Sequence, residues 1–177
     1  MSVITATPRI DTRRLTLRAP RPQDAPRLAS LCNEFDIARM TSRMPWPYGL
    51  ADAESFIAHQ ALADPRTEAA FLIEHDDEGV VGGLGFHPAA AGPLEVGYWV
   101  GKPYWGRGIA SEALVGAMTW AGREWKKRVV AAGHFSDNPA SGRVLCRAGF
   151  LYTGQVELRA STARGEAAPL RAMIWLP

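Results

Sequence analysis

Cysteines, long apolar runs and an excess of charge are all scarce in this sequence, and each scarcity excludes a class of protein. Its two cysteines, Cys32 and Cys146, lie far apart without a CxxC partner or a histidine-rich neighbour, so neither a disulfide framework nor a metal site is expected. No stretch reaches the roughly 20 apolar residues of a membrane-spanning helix, so no membrane association is expected. The formal net charge is only +2, with lysine and arginine dispersed, so nucleic acid is not expected as a partner.

The start of the chain and its composition indicate an ordinary globular protein. The segment Met1–Pro20 lacks the apolar core of a signal peptide, so a cytoplasmic location with reduced thiols is expected. With 177 residues, the chain is long enough for one hydrophobic core and too short for two comfortable domains. The sequence therefore predicts a single domain over residues 1–177.

Hydrophobic periodicity predicts a mixed α/β fold. Alternating or continuous apolar runs predict strands at Arg14–Ala19, Ala70–Glu74, Val80–Phe86, Leu94–Val100, Val129–Ala132, Phe150–Val156 and Leu170–Trp175. Helical spacing is found from Leu28 to Phe35, at Asp52–Leu62, from about Gly108 to Gly122 and at Asn138–Ala148, and two prolines make Met44–Tyr48 a loop. Hairpins followed by strand–helix–strand–helix predict a mixed sheet with flanking helices and a parallel pairing in its second half.

A glycine turn between a strand and a helix is the most informative segment. The strand ends at Val100, and Gly106-Arg107-Gly108 leads directly into the next helix. Glycine lets a ligand approach the backbone closely, and the first turn of a helix offers unpaired N–H groups and the positive end of the dipole. The arrangement predicts an anion site, for which a pyrophosphate is the usual occupant.

Other interpretations of this turn have less support. A Rossmann site would need glycine or alanine where Ser111 stands, and the following strand has no carboxylate placed for a ribose. A Walker A loop is excluded because the sequence contains no GxxxxGK[ST]. A glycine turn without any ligand is the remaining alternative.

A second motif runs from Ser136 to Phe150. Asn138 suits a helix N-cap, Pro139 the first helical position and Gly149 the position after the helix, and capping alone would explain these residues. However, N-x-x-S followed by GF after the glycine turn resembles the two signatures of the GNAT superfamily of acyl-CoA N-acyltransferases. The run from Tyr104 through SEAL, together with the N-terminal RRLTLRA, is similar to its ribosomal-protein N-acetyltransferase branch (RimJ/RimL type).

The resemblance implies a GNAT fold with a splayed pair of parallel strands, and acetyl-CoA as co-substrate without a metal. It implies that Trp99 and Val100 pair with the pantetheine amides and that Asn138 and Ser141 contact the pantetheine arm. It further implies that the turn's backbone N–H groups hold the pyrophosphate, namely those of Gly106, Arg107, Gly108, Ile109 and Ala110.

For catalysis, the resemblance points to Glu95 as the general base, because some members carry their base on this strand. Many members use a tyrosine to protonate the departing thiolate, but Leu145 stands at that spacing, so Ser141, a water or no acid must serve. A thiol is acidic enough to leave unaided. His134 and His87 are further candidates for the base. Trp46 and Tyr48 are candidates for the acceptor pocket.

These observations predict an N-acetyltransferase that moves acetyl from acetyl-CoA to a primary amine within a ternary complex. The branch favours a protein or peptide N-terminal amine as the acceptor. An acetyltransferase for a small-molecule amine and a non-catalytic acyl-CoA sensor are the alternatives, because fold alone does not fix function. A homodimer is compatible with the sequence.

Overall fold

Strand pairing forms one eight-stranded sheet in a computed structural model that describes residues 6–89 and 91–177. The strand order is β1-β2-β3-β4-β5-β6-β8-β7. The strands are β1 (Ile10–Asp11), β2 (Leu15–Arg18), β3 (Ala69–His75), β4 (Gly79–His87), β5 (Leu94–Val100), β6 (Val130–Phe135), β7 (Leu151–Ser161) and β8 (Glu166–Trp175). The helices are α1 (Ala25–Cys32), α2 (Phe35–Ala38), α3 (Leu50–Leu62), α4 (Ile109–Arg123) and α5 (Pro139–Arg147).

The predicted mixed α/β architecture is confirmed, with differences at the C-terminal strands. The last two strands were expected over Phe150–Val156 and Leu170–Trp175, and both are longer because they continue into a hairpin. The alternation of apolar and polar residues did not predict this extension, because β7 is an edge strand whose side chains are mostly exposed on both faces. The helical spacing from Leu28 to Phe35 also did not show that α1 ends at Cys32 and that a separate short helix, α2, begins at Phe35.

The pairing of β5 with β6 creates the cleft. It is a parallel pairing, connected through α4, and it is limited to Leu94 opposite Val130 and Glu95 opposite Ala131. Among the described residues, no pairing of these two strands continues beyond Glu95 and Ala131. The strands therefore splay apart toward their C-terminal ends, as the sequence predicted.

The two faces of the sheet carry different helices. On one face, Phe71 packs edge-on against Trp120 of α4 with ring centroids 5.4 Å apart, and Phe86 packs against the same ring at a tilt with centroids 6.1 Å apart. This face therefore forms the core against α4. Because strand side chains alternate, Glu95, Gly97 and Trp99 lie on the opposite face, which carries α1 and α3. Residues of β5 can therefore act on both sides of the sheet at the splay.

Candidate active site

The glycine turn has the geometry that an anion site needs. Gly106 has φ +74° and Gly108 has φ +76°, a left-handed conformation that side chains other than glycine rarely adopt. Gly108 caps α4, which begins at Ile109. A Cβ added to Gly106 would meet nothing within 4 Å in the described part of the chain, so the space in front of the turn is open to a ligand. The helix N–H groups of the first turn are then available to an anion.

Two residues that sequence reasoning missed hold this turn in place. Arg14 of the β1–β2 connection donates from Nη2 to the carbonyl of Arg107 at 3.2 Å and from Nε to Glu112 at 2.8 Å. Glu112, in the first turn of α4, also accepts from the backbone N–H of Arg14 at 2.8 Å. The turn is thus tied to β2 through a side chain that lies 93 residues away in the sequence.

The backbone of β5 faces the cleft at alternate residues. Gly101 N donates to Val81 O, so the odd-numbered residues of β5 bond to β4, and Trp99 opposite Gly83 is one of them. The N–H and C=O groups of Val96, Tyr98 and Val100 therefore point away from β4, and beyond the short pairing with β6, which uses the Val96 N–H, they face the cleft. Of the two residues predicted to pair with pantetheine, Val100 has its backbone groups on the cleft side, whereas those of Trp99 are turned toward β4. The Val100 carbonyl is partly committed, because Trp105 Nε1 donates to it at 2.7 Å.

Helix α5 begins as the capping pattern predicted. Asn138 Oδ1 accepts from Ser141 N at 3.2 Å, and Pro139 is the first helical residue. The Ser141 hydroxyl is 2.8 Å from the hydroxyl of Tyr98, whose single proton can be donated either to Ser141 Oγ or to the Ser141 carbonyl at 3.1 Å. Burial raises the pKa of Tyr98, against a smaller opposing effect of the Ser141 hydrogen bond, so the phenol stays protonated. Tyr98 was missed because its contact joins β5 to α5, which only the tertiary structure brings together.

On the opposite face of the sheet, small residues leave a groove. Gly85 and Gly97 are directly opposite one another in β4 and β5, so the floor carries no side chain there. The Trp99 indole lies over Gly83, since a Cβ there would be 2.7 Å from Trp99 Nε1. His87 lies beside Gly97, where an added Cβ would be 4.0 Å from His87 Cε1. The groove is therefore bordered by an indole at one end and an imidazole at the other.

Glu95, the predicted base, is already engaged. Both of its carboxylate oxygens accept from Arg159 of β7, at 2.9 Å to Nη1 and 3.4 Å to Nη2. The Glu95 side chain is 17% exposed and that of Arg159 is 32% exposed, so the pair is largely shielded from water. Both carboxylate oxygens are thus occupied by the guanidinium. Glu95 lies at the splay as one half of an ion pair.

The three other candidate residues, His134, Tyr48 and Trp46, differ in whether their side chains reach the cavity. His134 is 4% exposed, and its nitrogens are engaged by the Phe135 carbonyl and the Tyr152 hydroxyl, each at 2.9 Å. It does not line the cleft, so the suggestion that His134 flanks it is wrong. Tyr48 lines the cavity, whereas Trp46 is 48% exposed and packs edge-on against Phe35 instead.

A bridge closes the groove on its outer side. Ser161 Oγ, at the end of β7, donates to Thr41 O at 2.9 Å, and Thr162 N donates to Ser42 O at 3.0 Å. Arg164 donates to the Arg39 carbonyl and forms an ion pair with Asp137 at 2.9 Å. The loop after α2 and the β7–β8 hairpin therefore meet beside the groove, which is part of a larger cavity that is open to solvent.

One cavity of about 1850 Å³ connects the glycine turn, the start of α5 and the groove. Its lining includes Gly106 and Gly108 of the turn, Ser141 of α5, and Glu95 and His87 of the groove. Within residues 6–89 and 91–177, no cluster of three histidine, cysteine or acidic residues is placed to hold a metal ion. No helix in the described part of the chain is long and apolar enough to cross a membrane.

Comparison with known proteins agrees with this geometry. An uncharacterized N-acetyltransferase of Bacillus subtilis (strain 168), YoaA, is 29% identical over 159 residues, which cover 83% of this chain and 85% of that protein. Among solved structures, the microcin C7 self immunity acetyltransferase MccE, in complex with acetyl-CoA and AMP, superposes with TM-score 0.82 and 20% identity over 99% of this chain and 100% of its own. The ribosomal L7/L12 alpha-N-protein acetyltransferase RimL, in complex with coenzyme A, superposes with TM-score 0.81 and 22% identity over 96% and 98%.

The two structural similarities fall below 25% identity and show the fold alone. The acetyltransferase (GNAT) domain family, in contrast, matches the sequence itself over residues 14–151, more than three quarters of the chain. That range contains the glycine turn, the splayed strands and the α5 motif. The chain therefore belongs to the acetyltransferase (GNAT) domain family.

Proposed function

We propose that this protein transfers acetyl from acetyl-CoA to a primary amine by direct attack within a ternary complex. The observation that carries the proposal is the single cavity that joins the glycine turn on one side of the splay to the glycine-floored groove on the other. A donor thioester at the splay and an amine in the groove would then meet at the point where β5 and β6 separate. The cytoplasm, where thiols stay reduced, suits both cysteines of the chain.

The residues of the turn fit the coenzyme. A pyrophosphate needs closely spaced N–H donors, and the backbone N–H groups from Gly106 to Ala110 supply them. It also needs space that no Cβ fills, and the space in front of Gly106 is open. Asn138 and Ser141, at the start of α5, border the path from the turn to the splay and would contact the pantetheine arm.

The N–H groups of β5 have a role in the reaction itself. The thioester carbonyl oxygen gains negative charge as the amine attacks, and a fixed N–H donor stabilises that charge. The Val96 N–H is used in the parallel pairing, because Glu95 opposite Ala131 requires it to donate to the Ala131 carbonyl. Tyr98 is the next residue of β5 whose N–H points toward the cleft beyond that pairing, and we assign the carbonyl oxygen to this donor.

Ser141 is positioned as the acid. The new C–N bond forms as the C–S bond breaks, and the thiolate leaves with the electron pair. Tyr98 can donate to Ser141 Oγ, which leaves the Ser141 hydroxyl proton free to point at the sulfur. The second proton of the attacking nitrogen, lost as the amide forms, balances the proton that the thiolate gains. Because a thiol has a pKa near 8.5, this assistance is helpful rather than essential.

The bridged groove favours an acceptor with a terminal amine. The contacts of Ser161 and Thr162 with the loop after α2 close the groove laterally, so an internal lysine in a folded protein would be harder to insert than a chain terminus. A peptide N-terminus, as named for RimL, fits this requirement. A spermidine N-acetyltransferase from Vibrio cholerae, solved with CoA and spermine, shares the fold, so a small-molecule amine is the main alternative acceptor. A non-catalytic acyl-CoA sensor is the other.

The deciding experiment follows free-thiol release from acetyl-CoA with a panel of amines and short peptides. We expect peptides with small N-terminal residues to outperform free lysine. Reaction with polyamines or nucleotide-linked amines alone would favour the small-molecule alternative. Binding of CoA without turnover of any acceptor would identify a sensor.

We also propose a homodimer formed through β7. This strand is at the edge of the sheet, and Leu151, Val156 and Leu158 on it are 65%, 63% and 75% exposed. An apolar edge strand favours pairing with another strand, and a second identical edge satisfies both sets of backbone groups around a two-fold axis.

Light scattering during size-exclusion chromatography tests the dimer. The wild type should have the measured mass of two chains, and Leu158→Lys should lower the measured mass toward that of one chain. Val115→Lys, at a 44% exposed site on α4, is the matched control and should leave the dimer intact. A monomeric wild type at 100-micromolar concentration would refute the β7 dimer.

A further inference from the structure

The acceptor groove contains a second titratable side chain next to Glu95. His87 is the last residue of β4 and pairs directly with Glu95 of β5 across the two strands. Side chains of directly opposite residues lie on the same face, about 5 Å apart at their Cβ atoms. His87 and Glu95 thus form a cross-strand pair at the edge of the splay, where an acceptor amine would have to lie.

The two members of this pair differ in their engagement. Glu95 gives both oxygens to Arg159, as described above. The imidazole of His87 has no hydrogen-bond partner in the described part of the chain, although it is partly buried and lines the cavity. A neutral imidazole has a nitrogen lone pair that can accept a proton, and in His87 no other described residue occupies it.

We propose that His87 is the general base of the amine-acetylation reaction proposed above. The ammonium of the acceptor gives one proton to a ring nitrogen of His87, directly or through one water. The neutral nitrogen then attacks the thioester carbon, and the imidazolium releases its proton to solvent before the next turnover. Glu95 and Arg159 act on this step through the local charge around His87.

The charges that face His87 keep it in the form that the step requires. Burial lowers the pKa of His87, and the positive charges of Arg43 and Arg159 lower it further. Glu95 and Glu68 oppose this change only in part. Because the net shift is downward, the imidazole is neutral at pH 7 and remains so to a lower pH than an ordinary histidine, whose pKa is about 6.5. The activity that depends on His87 is therefore fully present at neutral pH and is lost as the pH falls below that value.

A histidine-to-glutamine variant tests this role, because glutamine keeps the size and polarity of the side chain but accepts no proton. His87→Gln should lower turnover at pH 7 by roughly 10²-fold, the lower end for general base catalysis, and leave the affinity for CoA unchanged. The deficit should shrink at alkaline pH, where the acceptor is already a free amine. Glu124→Gln, at an exposed residue directly after α4 that does not line the cavity, is the control and should behave as the wild type.

Two further variants separate a base from a structural residue. His87→Ala should regain part of its turnover when free imidazole is added, which a loss of packing would not allow. Glu95→Gln removes a negative charge that raises the pKa of His87, so it should shift the acidic limb of the pH profile to lower pH and lower turnover less than His87→Gln does.

The outcomes are distinct from those of the proposed function itself. Turnover by the wild type together with unchanged turnover of His87→Gln at pH 7 would overturn the role of His87 alone. So would a larger loss in Glu95→Gln that disappears at high pH, which would return the base to Glu95. No turnover of any amine by the wild type would overturn both proposals.

Discussion

Replacing Gly108 tests the coenzyme site most directly, because this residue combines a left-handed backbone with a place in the glycine turn. A Cβ added there would have only Arg14 Nη2 nearby in the described structure, at 3.7 Å, so the space tolerates a side chain. The φ of +76° is the difficulty, and asparagine and aspartate are the residues that tolerate it best. Gly108→Asn and Gly108→Asp therefore share nearly the same shape and strain and differ by one negative charge.

The size of the charge effect follows from Coulomb's law. Two unit charges 4 Å apart interact by about 4 kcal/mol at an effective dielectric constant of 20, typical near a protein surface. The guanidinium of Arg14 would neutralise part of the new carboxylate, and solvent screens the rest, so we expect about half of that repulsion toward a pyrophosphate. A loss of about 2 kcal/mol corresponds to roughly 30-fold weaker binding of CoA by Gly108→Asp than by Gly108→Asn.

Isothermal titration with CoA measures both affinities, and the thermal stabilisation by CoA gives an independent value. The difference between the two variants should narrow as the salt concentration rises, because the interaction is electrostatic. Equal affinities of folded Gly108→Asp and Gly108→Asn, at low salt, would refute the assignment of the pyrophosphate to this turn. Unfolding of both variants would show up in circular dichroism before any titration.

The remaining predictions concern the acid and the stability of the fold. Ser141→Ala should lower turnover by about tenfold or less, since a thiolate leaves unaided. Adding Tyr98→Phe to Ser141→Ala should lower turnover little further, because both residues act through one hydrogen bond. Additive losses of turnover in steady-state assays would contradict this. Asp24→Asn should lower the free energy of unfolding by about 3 kcal/mol in urea, because it breaks a buried ion pair with Arg18. Burial raises the pKa of Asp24, but the hydrogen bonds from Arg18 and from the Arg21 backbone, with the charges of both residues, lower it by more. The wild type should therefore lose the stability that this ion pair contributes as the pH falls below about 4, whereas the stability of Asp24→Asn should not change for this reason.

The sequence by itself determined the features that depend on local backbone chemistry. Positive φ at Gly106 and Gly108 and the capping of α5 by Asn138 involve residues within a few positions of each other. Such features leave a fixed spacing in the sequence, which is why both motifs could be found and the fold predicted from them. Their expected contacts with the coenzyme stay predictions.

Only the tertiary structure decided which side chains meet at the splay of β5 and β6. The ion pair of Glu95 with Arg159 joins residues 64 positions apart, and the Tyr98–Ser141 hydrogen bond joins residues 43 apart. The pairing of His87 with Glu95 depends on the register of β4 and β5, which a shift of one residue would change completely. Periodicity places a residue on a face of its own strand, but register and crossover connections decide what faces it, and these arise from packing of the whole chain.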